Sequence, residues 1–215
     1  MKSRRQKGFT LVEIAIVLVI VGLLVGSILK GREMLTNAKL KRIVRDHSSL
    51  VAAMLTYQDR YRVLPGDDDA AATRFSLYSD GVNDPAPADI DGNSDGAIDG
   101  NWMANSNTET ANFWKHLRAA SLIPGGGDDD TQPANAYGGN IGIRYGSLSL
   151  SGHVFVYGSL NGSIARILEA QIDDGSPSTG KIQSDLTAVL MDGTAASSAG
   201  VSYLDSTNYY LAIGI

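Results

Sequence analysis

Lys7-Gly8-Phe9-Thr10-Leu11-Val12-Glu13 opens an apolar run that continues to Leu29. Residues 9–29 contain one charged side chain, that of Glu13. At about 1.5 Å rise per residue, a helix of this length spans about 31 Å, enough to cross a hydrocarbon core of about 30 Å. The preceding residues 1–8 carry four Lys and Arg and no acid. The sequence therefore predicts a transmembrane helix over about residues 9–29.

The single acid of this run needs a functional explanation. A charged side chain in the middle of a membrane helix costs about 2.5–3.5 kcal/mol on insertion scales. A charge that is buried in apolar packing must be paired, or it penalises the state that buries it. We therefore expect Glu13 to act through a cationic partner inside or beside the membrane.

The segment Lys7–Glu13 resembles the amino-terminal segment of type IV prepilins and type II secretion pseudopilins. Their pattern is a basic leader, a glycine, then Phe-Thr-Leu-Xaa-Glu and a hydrophobic helix. The resemblance implies cleavage between Gly8 and Phe9 by a prepilin peptidase, N-methylation of Phe9, and assembly into a filament. It also implies two further partners, an inner-membrane assembly platform and other pilin or pseudopilin subunits. In such a stack, Glu13 of one subunit would pair with the Phe9 amine of its neighbour and fix the register.

Two simpler interpretations of the apolar run compete with this one. An ordinary secretory signal peptide needs a small-residue cleavage site after the run, and residues 26–30 offer no good A-x-A pattern. A plain single-span anchor explains the length of the run. It does not explain the combination of Gly8, Phe9 and Glu13.

Composition limits what the rest of the chain can do. Cleavage would leave 207 of the 215 residues, and none is cysteine, so an exported head must be held by packing, hydrogen bonds or metal. From Asp59 onward, eight Lys and Arg stand against 20 Asp and Glu. Because nucleic-acid affinity comes largely from neutralising phosphates with basic side chains, no nucleic acid is expected at the head.

Hydrophobic periodicity predicts a long helix and a mixed head. The helix is expected to continue past the membrane until Leu64-Pro65-Gly66, which gives a leader over 1–8, a helix over 9–62 and a head over 63–215. Within the head we predict helices over 70–77, 108–120 and 163–172, strands over 141–145, 153–157 and 209–215, and a long loop over 79–101. Asp67-Asp68-Asp69 is interpreted as a negatively charged start of the first of these helices, and Asp173-Asp174-Gly175 as the end of the last. These elements predict an α+β class, and the resemblance implies a pilin-like fold: a long amino-terminal transmembrane helix packed on an antiparallel sheet, with short helices and a calcium-type loop.

Residues 91–99 form the second informative motif, because their spacing matches the first nine positions of an EF-hand loop. The predicted calcium ligands are Asp91, Asn93, Asp95, the carbonyl of Ala97, and Asp99 through a water. Gly96 permits the sharp turn, and Ile98 anchors the loop to the core. Trp102 stands where a bidentate Glu belongs, so Glu109, or alternatively Asp89, is predicted to supply that ligand. The competing interpretation is a flexible loop of Asp-Gly turns.

No catalytic constellation is recognisable in the sequence. The chain contains no G-x-S-x-G, H-E-x-x-H or G-x-x-x-x-G-K-[ST] pattern, and His47, His116 and His153 are isolated in sequence. The sequence therefore predicts no enzyme.

The resemblance instead implies a structural filament subunit of the bacterial inner membrane, single-pass, with its head in the periplasm and later in a filament in the periplasm or at the cell surface. The alternatives are a pseudopilin of a type II secretion piston, and a membrane-anchored periplasmic calcium-binding or ligand-binding domain that does not polymerise.

Overall fold

The computed structural model of the chain describes residues 10–75, 92–103, 108–186 and 202–215. The chain divides into two units, Met1–Lys41 and Arg42–Ile215. Helix α1, Leu11–Tyr61, contributes to both of them. The described part of the first unit is the amino-terminal stretch of this helix, and the second unit contains the remaining helices and strands.

Three short helices and four strands follow α1 in the described residues. The helices are α2 (Ala71–Arg74), α3 (Glu109–Ala119) and α4 (Gly162–Ile172), and the strands are β1 (Ile141–Ser147), β2 (Leu150–Asn161), β3 (Ile182–Asp185) and β4 (Asn208–Gly214). The strands form one antiparallel sheet in the order β1-β2-β4-β3. The predicted α+β, pilin-like class is thereby confirmed.

Alternate residues of β2 face opposite sides of the sheet, as the period of two in a strand requires. On one side, the ring centroid of Phe155 lies 5.7 Å from that of His47 in α1. The Tyr157 hydroxyl on the same side lies 3.2 Å from Nδ1 of His47. Ile43 and Tyr57, also in α1, are fully buried. The part of α1 that belongs to the second unit therefore packs on the sheet, as predicted.

Helix α3 covers the same side of the sheet. Its N-cap is Thr108, whose side chain accepts a hydrogen bond from the Ala111 amide, a cap that satisfies an otherwise unpaired donor. Phe113 is fully buried, and its ring centroid lies 5.9 Å from that of Phe155. Leu117, one turn later, is also fully buried. Phe113 and Leu117 therefore lie on the buried side of this helix.

The opposite side of the sheet carries a second apolar cluster. Val154, Val156 and Ala212 pack there with Leu148 and Trp102. Trp102 is 2% exposed, and its ring lies edge-on to that of Tyr210 with centroids 5.6 Å apart. The residue that breaks the EF-hand pattern is therefore a core residue of the head.

Several predicted boundaries differ from the structure. Strand β3 was not predicted, because Ile182–Asp185 lacks an apolar alternation. Helix α1 ends at Tyr61, one residue before its predicted end, and the next residue, Arg62, has a left-handed φ of 65°. The predicted helix over 70–77 is found over Ala71–Arg74, and residues 76 and 77 lie outside the described residues.

The acidic run before α2 does not cap that helix. Ala70 is the N-cap residue, and no side chain caps the helix. Asp67 is 1% exposed, and its carboxylate accepts from the amides of Asp95 and Gly96. Asp68 is fully buried and accepts from the Tyr57 hydroxyl and the Ala70 amide. Residues 67–69 thus stand directly before α2, as predicted, although none of them caps it.

Candidate functional site

The amino-terminal stretch of α1 exposes a continuous apolar surface. The helix is long and apolar enough to cross a membrane, and none of its most apolar 18-residue window is buried. Even Ile14 and Val21, the least exposed of the large apolar side chains between Leu11 and Leu29, expose 48% of their surface. Such a surface requires lipid or other helices around it, because contiguous apolar patches of this size are unfavourable in water.

Glu13 has a structural role at the start of this helix. Its Oε2 accepts hydrogen bonds from the Thr10 amide and the Thr10 hydroxyl, each at 2.8 Å. The Thr10 hydroxyl in turn accepts from the Glu13 amide at 3.3 Å. This reciprocal arrangement is a capping box, in which Thr at the N-cap and Glu three residues later satisfy two free backbone donors. The T-x-x-E spacing of Thr10 and Glu13 is the sequence signal for it.

The second candidate region is the loop from Gly92 to Asp99, which wraps around Asp67. The Asp67 carboxylate accepts hydrogen bonds from the amides of Asp95 at 3.1 Å and Gly96 at 2.8 Å. A Cβ on Gly92 would collide with the Asp67 backbone. Only a residue without a side chain allows this close approach. The motif analysis of residues 91–99 did not identify Asp67, which is separated from the loop by more than 20 residues.

Glu109 joins the two ends of the described loop. Its Oε1 accepts from the Asn93 amide at 3.2 Å, and its Oε2 accepts from the Asp99 amide at 2.8 Å. Glu109 lies in the first turn of α3, so the helix holds its carboxylate against the loop. The side chain predicted to complete the calcium ligand set therefore lies beside the loop.

Two of the predicted ligand side chains accept hydrogen bonds within the loop. Asn93 Oδ1 accepts from the Asp95 amide and Asp95 Oδ1 accepts from the Ala97 amide, both at 2.9 Å. Gly96 has the left-handed φ of 86° that the sharp turn needs, and Ile98 is fully buried. The remaining candidates, Asp91 and Asp89, lie outside the described residues.

The loop concentrates negative charge. Burial raises the pKa of Asp67, and the charge of Asp95 adds to the rise. Burial also raises the pKa of Glu109, with further contributions from the charges of Asp67 and Asp99. In the described part of the chain, no basic side chain forms an ion pair with these four acids.

This donor set is chemically suited to a hard cation such as calcium, which binds carboxylate and carbonyl oxygens. The fit is incomplete in geometry. Within the ranges that the structure describes, no three of these loop carboxylates approach one another as closely as metal ligands do. Ligands that could hold calcium here are Asn93, Asp95, Asp99, Glu109 and the Ala97 carbonyl, and Asp67 positions the loop through its amides.

The three histidines make separate structural contacts. His116 is 1% exposed, and its Nδ1 accepts a hydrogen bond of 2.8 Å from the Gly66 amide. Burial lowers the pKa of both His47 and His153. His153 packs edge-on against Tyr145 with ring centroids 5.2 Å apart. Each ring is thus used in packing or backbone support.

Comparison with known proteins identifies the amino-terminal segment. A family model described as the prokaryotic N-terminal methylation motif matches residues 3–29. The match includes Gly8, Phe9 and Glu13. No curated protein matches the chain at a significant level. The chain therefore carries the prepilin-type cleavage and methylation signature at its amino terminus.

Proposed function

We propose that the protein is a structural subunit of a type IV pilus-like filament, cleaved between Gly8 and Phe9 by a prepilin peptidase and assembled through its amino-terminal helix. The subunit is first held in the bacterial inner membrane with its head in the periplasm. An inner-membrane assembly platform then transfers it into the filament. The methylation motif over residues 3–29 supports both the processing step and the association with other subunits.

The observation that carries the proposal is the uncovered apolar surface of α1 between Leu11 and Leu29. Lipid covers this surface while the subunit is in the membrane. After extraction from the membrane, only the equivalent helices of other subunits can cover it. Gly22 and Gly26 have open space around them, so neighbouring helices can approach closely there.

Glu13 supplies the register of this assembly. Cleavage leaves a cationic amine on Phe9, and the carboxylate of Glu13 lies four residues later, about one helical turn away. When subunits stack in register, Glu13 of one subunit pairs with the Phe9 amine of another. Subunits out of register bury an unpaired carboxylate, which penalises the wrong arrangement.

The experiment measures processing and incorporation separately. Mass spectrometry of the membrane-extracted protein should find a mature chain that begins at methylated Phe9. Glu13→Gln should leave this processing intact and reduce incorporation into filaments at least about tenfold, equivalent to about 1.4 kcal/mol. Gln is accepted in a capping box, so the variant removes the charge and keeps the helix start.

The matched control is Glu33→Gln, an equal charge change further along the same helix. Glu33 pairs with Lys30 at 2.8 Å, and both side chains are largely exposed. This control should assemble normally. An intact Met1 terminus on a protein that remains monomeric in lipid would support the non-polymerising anchor instead. Normal incorporation of Glu13→Gln would remove the proposed role of Glu13.

The absence of cysteine is compatible with a pseudopilin of a type II secretion piston as well as with a pilus subunit. Both assemblies use the same processed helix. The genes that neighbour this one discriminate between them, because secretion and pilus clusters encode different companions.

We also propose that calcium braces the loop that Glu109 and Asp67 hold. The all-oxygen donor set and the uncompensated charge of the loop support a hard cation there.

A further inference from the structure

Helix α4 ends in a concentration of negative charge. Glu169 lies in its last turn, and Asp173 and Asp174 follow its final residue, Ile172. The last turn contains no basic side chain. Because the helix dipole already gives the carboxyl end a partial negative charge, acids are disfavoured there and cations are favoured.

The three carboxylates converge. One oxygen from each of Glu169, Asp173 and Asp174 lies within 4.8 Å of the others. Asp173 Oδ2 accepts a hydrogen bond of 2.7 Å from the Ile182 amide, which fixes its side chain. Each carboxylate oxygen has two lone pairs, so one such bond leaves capacity for a further partner.

Asp174 is also held from the turn that follows. Its Oδ1 accepts from the Ser176 amide at 2.8 Å, and its Oδ2 accepts from the Thr179 hydroxyl at 2.6 Å. The turn between α4 and β3 thus orients both aspartates toward the end of the helix.

Glu169 is the group that this arrangement leaves unexplained. It is fully buried, and neither of its carboxylate oxygens has a hydrogen-bond partner. In the chain as described, no basic side chain forms an ion pair with it. A buried carboxylate without a partner is costly, so its position beside two further acids indicates a missing positive charge.

We propose that Glu169, Asp173 and Asp174 form a binding site for a hard divalent cation of the calcium class at the carboxyl end of α4. The donors are carboxylate oxygens, which hard cations prefer over the nitrogen and sulfur ligands of zinc or copper sites. Both oxygens of Glu169 are available for bidentate binding. The cation would offset most of the negative charge of the cluster and complement the helix dipole.

A cation bound at this site would stabilise the head by connecting α4 to β3. Asp173 contacts the first amide of β3, and Glu169 belongs to α4, so one cation would tie the helix to the edge strand of the sheet. This site is separate from the loop held by Glu109, and it does not depend on whether the protein forms filaments.

Calcium titration calorimetry on the full-length chain in detergent tests the site. Glu109→Gln serves as the background, so that binding at the loop does not obscure the result. In this background, Glu169→Gln should abolish the remaining calcium binding. Asp128→Asn, an equal charge change at an exposed acid, should keep it. Calcium binding that persists in Glu169→Gln, or that is absent from the background itself, overturns the proposal.

Thermal melting separates a metal ligand from a merely structural residue. In chelator, Glu169→Gln should melt no lower than the parent protein, because neither carboxyl oxygen of Glu169 has a hydrogen-bond partner to lose. In excess calcium it should melt below the parent, because only the parent binds the cation. A variant that melts below its parent equally in both conditions would assign Glu169 to packing and contradict the site.

Discussion

Asp68 illustrates at the scale of one residue how the head uses buried charge. It is fully buried, and its Oδ2 accepts a hydrogen bond of 2.6 Å from the Tyr57 hydroxyl of α1. The same oxygen forms an ion pair with Arg74, and Oδ1 accepts from the Ala70 amide at 3.0 Å. Unlike Glu169, this carboxylate therefore has a complete set of partners, which link the long helix to α2.

We expect Asp68→Ala to destabilise the head by about 2–4 kcal/mol. Loss of one partner of a buried ion pair costs about 3–5 kcal/mol, and the estimate is lower here because the Arg74 side chain remains 27% exposed. Denaturant unfolding of the full chain in detergent measures the change.

The neighbouring Asp69 provides the control, because its side chain is exposed. Asp69→Ala should change the free energy of unfolding by no more than about 0.5 kcal/mol. Equal losses in the two variants would show that the buried contacts of Asp68 contribute nothing measurable.

The residues at the loop from Gly92 to Asp99 differ in whether the sequence alone could identify them. The position of Glu109 beside the loop was predictable, because the EF-hand spacing lacked its last ligand and Glu109 was the next acid along the chain. Asp67 was not, because its loop partners are 28 and 29 residues away and nothing local marks it. Only the folded chain brings it beneath the loop.

At the scale of elements, the loop from Gly92 to Asp99 has its own source of stability. It is held by backbone amides that donate to Asp67 and Glu109, and Ile98 anchors it in the core. These contacts position the loop oxygens but leave its negative charges close together. A bound calcium would remove that repulsion, so the proposed metal should stabilise this element in particular.

We expect calcium to raise the melting temperature of the Glu169→Gln chain by about 5–10 °C when its concentration is about 100 times the dissociation constant. The Glu169→Gln background removes a ligand of the proposed α4 site, so the loop is the remaining proposed binding site. Adding Glu109→Gln should abolish most of the rise, because it removes the carboxylate that spans the loop.

Asp128→Asn in the same background is the control and should keep the full rise. If calcium stabilised the Glu109→Gln and Asp128→Asn chains equally, the loop would not be its binding site. The paired design keeps this outcome distinct from failure of the α4 site, which is tested with Glu109→Gln as background.

The elements also differ in how predictable they were. Helices α3 and α4 have polar caps, Thr108 and Asn161, followed by apolar spacing, so local sequence was sufficient. Strand β3 is fully buried along Ile182–Asp185 although two of its residues are Ser184 and Asp185. Its pairing with β4 is decided by the tertiary fold, which overrides the weak strand preference of these side chains.

At the scale of the whole molecule, the chain combines two surfaces that need different surroundings. The stretch from Leu11 to Leu29 exposes large apolar side chains throughout. The chain from Asp59 onward is acidic, with 20 Asp and Glu against eight Lys and Arg. Net charge of one sign favours solubility and limits non-specific association of the heads. This division fits the proposed function, in which the helix contacts lipid or other subunits while the heads remain solvated.

This division predicts that a chain lacking residues 1–29 folds and stays soluble without detergent. None of the most apolar 18-residue window of α1 is buried, so its removal should not disrupt packing in the head. The melting temperature should stay within about 4 °C of that of the full chain in detergent, which corresponds to about 1–2 kcal/mol for a protein of this size. Circular dichroism melting and size-exclusion chromatography measure the two properties. Aggregation of the truncated chain, or a fall of more than about 10 °C, would mean that the apolar helix stabilises the head itself and is not reserved for lipid and other subunits.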